Sequence, residues 1–142
     1  MRVALGADAT GPLTDTLVAE LRKRGHDVAV YGALADGSQA WASIGRAVGE
    51  AVAGGQAAVG VVCCWTGTGI SIAANKVPGV RAALCGDAVT AEGARRWNDA
   101  NVLALSMRAT TAAVGLEILD TFLRAKPTSD PAERAEIDKL GG

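Results

Sequence analysis

Val59-Gly60-Val61-Val62-Cys63-Cys64-Trp65-Thr66-Gly67-Thr68-Gly69 is the stretch that decides the fold. Its first half is apolar without alternation, the pattern of a strand covered on both faces. Its second half is a turn with two closely spaced glycines, leading into Ser71-Ile72-Ala73-Ala74-Asn75-Lys76. A buried strand that passes through such a turn into a helix is a unit of parallel-sheet architecture.

Four further runs share this character: Val3-Ala4-Leu5, Val28-Ala29-Val30-Tyr31, Arg81-Ala82-Ala83-Leu84 and Val102-Leu103-Ala104-Leu105. Between them, apolar residues recur at helical spacing. Leu13, Leu17 and Leu21 form one stripe, ended by the cationic Arg22-Lys23-Arg24 and by Gly25. Ile44, Val48 and Val52 form a second, and Val114, Ile118 and Phe122 a third, which Pro127 bars from continuing. Strand and helix alternate throughout, so the predicted class is α/β, a doubly wound or related open sheet. No repeat or linker interrupts residues 1–142, which read as one domain. A short helix over about 131–140 is predicted to close the chain, packing on the domain or on a partner subunit.

Composition narrows the function. Hydrophobic residues make up 49% and charged residues 20% of the 142, enough to build a core. With a net charge of −1 and no basic stripe, nucleic acid and anionic membranes are not expected partners. No leader is expected before the first strand, and no apolar run is long enough to span a bilayer. The three cysteines, Cys63, Cys64 and Cys85, make a poor disulfide framework and point to a reducing, cytoplasmic setting. They also lack zinc spacing, and the one histidine, His26, lies far away in a helix-to-strand turn, so no metal site is expected.

Ligands of open parallel sheets sit beyond the carboxyl ends of the strands. That directs attention to Asp8, to Asp36 through Trp41, to Cys64 through Gly69, to Gly86-Asp87 and to Ser106 through Arg108. The turn at Gly67 and Gly69 is either an oxyanion or phosphate cradle or a plain tight turn. It is not a dinucleotide fingerprint, because Ile72 stands where the third glycine belongs, and no Gly-Lys-Ser/Thr ends it. Cys63 and Cys64 point to opposite faces of their strand. A buried packing role is the ordinary one for a cysteine. Cys64 is the better candidate for chemistry, since a nearby helix N-terminus favours its thiolate.

Several of these segments resemble the ribose-5-phosphate isomerase B and galactose-6-phosphate isomerase family. They are Gly6-Ala7-Asp8; Cys64 with Thr66 through Lys76; Arg81 through Cys85; and Asn98-Asp99-Ala100-Asn101-Val102-Leu103-Ala104. The resemblance implies a Rossmann-like three-layer αβα sandwich with a five-stranded parallel sheet. It implies a homodimer with shared active sites, with a tetramer as a further arrangement, and cofactor-free aldose–ketose isomerisation. Carried onto this chain, it makes Cys64 the base, with Thr66 beside it as a catalytic residue. Gly67, Thr68 and Gly69 hold the enediolate, Asp8 and Asn98 take sugar hydroxyls, and Arg108 binds an anion.

The chain departs from that pattern where the family binds phosphate and opens the sugar ring. Ala9 and Trp97 stand in place of two family histidines, Ala132 and Glu136 in place of two arginines, and Arg134 lies between the latter. Trp41 replaces an aromatic hydroxyl, and Trp65 replaces the glycine after the cysteine. A tryptophan ordinarily packs in a core or an interface. Trp41, Trp65 and Trp97 all fall on ligand-facing positions of the resemblance, and are expected to line a pocket with aromatic faces. Three readings follow. The first is an isomerase for a non-phosphorylated or open-chain carbonyl or sugar substrate. The second is a pentose or hexose phosphate isomerase that uses Arg108 and Arg134 for phosphate. The third is a non-catalytic binding or repurposed biosynthetic protein on the same fold.

Overall fold

The computed structural model describes residues 1–141; the last residue of the 1–142 unit lies outside the described residues. The central strand, β3 (Val59–Cys64), is buried along its whole length, as its unbroken apolar run requires. β1 (Arg2–Ala7) pairs with it on one side and β5 (Val102–Ser106) on the other. β2 (Asp27–Gly32) and the short β4 (Ala82–Leu84) form the edges. The order is β2-β1-β3-β5-β4 and every pairing is parallel. This is the expected five-stranded α/β sheet.

Helices cover both faces. On one face, α1 (Pro12–Lys23), α4 (Ala88–Asn98) and α5 (Ala112–Arg124) bury Leu13, Leu17, Leu21, Ile118 and Phe122 against Val3, Leu5, Val61 and Leu103. On the other, α2 (Trp41–Ala53) and α3 (Thr68–Asn75) bury Ile44, Val48, Ile70 and Ala74 against Ala4, Val62 and Ala104. The three leucines of α1 and the stripes of α2 and α5 are the periodic positions of the sequence. No large apolar stripe marks α4: its buried residues are Ala91 and Ala94. It is fixed at its start by Asp87, whose carboxylate accepts the Thr90 backbone N–H at 2.7 Å. That bond holds the Asp87 carboxyl below the ordinary aspartate range.

α6 (Pro131–Asp138) begins on an Asp130 cap and packs on α4, with Ile137 buried. An ion pair between Arg134 and Asp99 at 3.2 Å ties it to the end of α4. Among the described residues, no helix is long and apolar enough to cross a membrane.

Candidate active site

Chain order reverses about β1: β2 lies on one side of it and β3 on the other. In parallel sheets this is where a crevice opens beyond the carboxyl ends. Ala7 of β1 is in register with Cys63 of β3, so the next positions, Asp8 just beyond β1 and Cys64 at the end of β3, fall side by side. Cys64 is also in register with Ser106 of β5.

The two adjacent thiols have opposite surroundings. Cys63 is wholly buried among the side chains beneath α1, α4 and α5. Burial pushes its thiol up to about 12, helped by the nearby charges of Cys64 and Asp8, so it stays protonated at neutral pH. Cys64 faces the α2 and α3 side and retains 5% exposure at the mouth of the turn. Cys85, at the end of β4, is 1% exposed; burial, with Asp87 nearby, raises its thiol to about 11.

The turn after Cys64 is held from the β5 side. Met107 N–H donates to the Cys64 carbonyl and Arg108 N–H to the Trp65 carbonyl, both at 2.9 Å. The Ser106 hydroxyl donates to the Trp65 carbonyl at 2.9 Å and accepts the Ala109 N–H at 3.0 Å. Ser106 is thus a fastener that the sequence did not single out within its segment; its place at a strand end was the available signal.

Gly67 adopts a left-handed backbone (φ 77°) as the N-cap of α3. A Cβ there would lie 2.6 Å from a Leu84 methyl and 2.9 Å from the Leu105 carbonyl, so no side chain fits. The Thr66 and Thr68 hydroxyls are 2.7 Å apart. No side chain caps α3, which leaves its first-turn amides for another acceptor.

Trp41 opens α2 and lays its indole on Gly69, where a Cβ would come within 2.9 Å of the ring. Trp65 projects into solvent from the turn at 65% exposure. Asp8 borders a bowl of about 500 Å³ with Ala9, Thr10, Ala33, Asp36, Gly37 and Gln39. Arg108 follows β5, across Cys64 from that bowl.

Three expected site residues lie elsewhere. Trp97 and Asn98 end α4, which runs from the carboxyl end of β4 back to the start of β5. They therefore sit at the amino end of the sheet. There the Trp97 ring lies over Gly93, with the Arg96 guanidinium 5.9 Å from its centre. Asn98 borders a hollow with Asn75, Arg81 and Leu140. Arg134 is at the same end, held by Asp99, whose carbonyl also accepts from Arg81 Nε at 2.6 Å. Within one chain, then, Cys64, Thr66 through Gly69, Asp8, Arg108, Trp41 and Trp65 come together, while Trp97, Asn98 and Arg134 do not join them. The reason is topological: the segment Trp97-Asn98 follows a helix, not a strand.

A family model described as Ribose/Galactose Isomerase matches residues 3–140. The chain belongs to this family. It is 39% identical to a galactose-6-phosphate isomerase subunit LacB of Clostridium acetobutylicum, over 99% of this chain and 83% of that protein. It is 37% identical to ribose-5-phosphate isomerase B of Escherichia coli, over 88% of this chain and 85% of that one. The solved structure of ribose-5-phosphate isomerase B from Clostridium thermocellum superposes with a TM-score of 0.92 at 38% identity, covering 99% and 95% of the two chains. As a ribose/galactose isomerase family member the chain is an isomerase of the aldose–ketose type. Family members with sugar-phosphate names sit beside a chain whose strand-end segments bear one cation, Arg108.

Proposed function

We propose that Cys64 enolises a small hydroxy-carbonyl substrate that is non-phosphorylated or already open-chain. The supporting observation is the pairing of Cys64 with an uncapped helix start across the rigid Gly67 turn. The Cys64 sulfur, acting as the base, takes the proton from the carbon beside the carbonyl. The electron pair moves onto the carbonyl oxygen, and the proton returns to the neighbouring carbon. The charge that develops on oxygen meets the amides of Thr68 and Gly69, with the Thr66 hydroxyl beside them. Asp8 takes a sugar hydroxyl, and Trp41 and Trp65 offer flat faces to the carbon chain. No step calls for a metal or an organic cofactor. Three free thiols suit a reducing compartment such as the cytoplasm.

A homodimer would give Trp97, Asn98 and Arg134 a role, since each could complete the site of a second copy. Solvent deuterium exchange at the carbon next to the carbonyl tests the chemistry. Exchange in the wild type and its loss in Cys64→Ala is the expected result. No exchange with any carbonyl compound that binds would overturn the reading.

The names of the relatives favour a second reading, a sugar-phosphate isomerase with phosphate on Arg108 and a partner's Arg134. Turnover of ribose 5-phosphate or allose 6-phosphate, lost in Arg108→Ala, would establish it in place of the first.

A further inference from the structure

Five segments join the carboxyl end of a strand to the next helix: residues 8–11, 33–40, 65–67, 85–87 and 107–111. Together they carry three carboxylates, Asp8, Asp36 and Asp87, against one guanidinium, that of Arg108. The other thirteen of the fourteen lysines and arginines lie elsewhere in the chain. Two of the three carboxylates, Asp8 and Asp36, line the same bowl with Thr10 and Gln39. No lysine or arginine borders that bowl, and neither aspartate is in an ion pair among the described residues. Asp36 is exposed and held in a left-handed backbone (φ 52°) beyond β2, its N–H donating to the Ala33 carbonyl.

The position of the bowl gives it a task. It lies over the ends of β1 and β2, and Cys64 ends the next strand, so about one or two strand spacings of roughly 4.8 Å separate them. That is the reach of a four- or five-carbon chain whose carbonyl end is at Cys64. We propose that this bowl holds the end of the substrate remote from the carbonyl, accepting a hydroxyl-bearing end and repelling a phosphate, with Asp36 the specificity-determining residue. Carboxylates and the Gln39 amide accept and exchange hydrogen bonds with hydroxyls. Within one chain, a phosphate there would face two like charges, and no lysine or arginine of the bowl would offset them. The inference rests on the reading of Cys64 as the enolising base.

A matched pair of five-carbon hydroxamates tests it, one ending in a hydroxyl and the other in a phosphate; the hydroxamate copies the planar enediolate. The measurement is the concentration of each that halves the rate of Cys64 alkylation by iodoacetamide, followed by mass spectrometry. In the wild type the hydroxyl-ended compound protects at a concentration lower by about tenfold, the scale of one charged contact. Asp36→Asn, which suits left-handed backbone, narrows the ratio, and Asp36→Arg abolishes or inverts it. Equal or better protection by the phosphate compound in the wild type overturns the subsite while leaving the role of Cys64 intact. So does a ratio that both Asp36 variants leave unmoved. If neither compound protects Cys64, the enolisation reading falls, and the subsite with it.

Discussion

At the scale of single residues, three thiols in one chain are set apart chiefly by burial, with nearby negative charge adding to it. Cys63 and Cys85 are pushed up to about 12 and about 11, while Cys64 stands at the mouth of the turn. Brief treatment with iodoacetamide at neutral pH should therefore place one adduct, on Cys64, and peptide mapping would reveal a second site if this were wrong. The raised thiols also carry a stability consequence. Unfolded, each ionises near its ordinary value of 9.0, so above that pH the unfolded chain binds fewer protons than the folded one. Stability falls as pH rises from about 9 toward 11, by up to about 1.4 kcal/mol per pH unit for each group. Denaturant melts of the wild type and of Cys85→Ala across that range should show the shallower alkaline decline in the variant.

At the scale of elements, the Gly67 turn is the least tolerant joint. Gly67→Ala forces a Cβ into Leu84 and the Leu105 backbone in a left-handed conformation, at a cost of about 1–3 kcal/mol in a denaturation midpoint. Gly69→Ala meets a side chain instead, the Trp41 ring, which can swing away. A double-mutant cycle should accordingly find Gly69→Ala milder in a Trp41→Ala background, with a coupling of about 0.5–3 kcal/mol. Additive effects would mean that the ring does not rest on α3 in solution. Asn75 closes the same helix: its amide accepts from the Ala82 N–H at 2.7 Å and donates to the Ala82 carbonyl at 2.9 Å, fixing the edge strand β4. Its replacement by alanine should cost about 1–2 kcal/mol by the same melts.

The elements also differ in how far the sequence announced them. The central strand and the stripes of α1, α2 and α5 were legible because large apolar residues recur at one period. α4 was not, since a helix that buries only Ala91 and Ala94 leaves no hydrophobic beat. The grouping around Cys64 was legible for a similar reason: a strand end, glycines and a thiol fall in one continuous stretch. The places of Trp97 and Asn98 were not, because the end of the sheet a residue occupies depends on whether a strand or a helix precedes it. Asp36 belonged to a strand-end segment, yet that it shares a bowl with Asp8 is visible only in the fold.

At the scale of the whole molecule, the two ends of the sheet carry different sets of functional groups. The carboxyl end has the thiol, the amides and Asp8; the amino end has Trp97, Asn98 and the clasp of Arg81, Asp99 and Arg134. If two copies share sites, Cys64→Ala and a variant disabled at the other end, such as Trp97→Ala, should each be inactive alone and regain activity when mixed and allowed to exchange subunits. Failure of the mixture to recover, with exchange verified by mass, would assign the amino-end cluster to structure.

The indole of Trp41, resting on the first turn of α3, also gives the protein an optical gauge of its own. Trp65 stands in water and Trp97 lies against a guanidinium at the far end, so Trp65→Phe and Trp97→Phe would leave a single emitter. Its colour and quenching would then report when a molecule settles on the glycine turn, with no label attached and no turnover required.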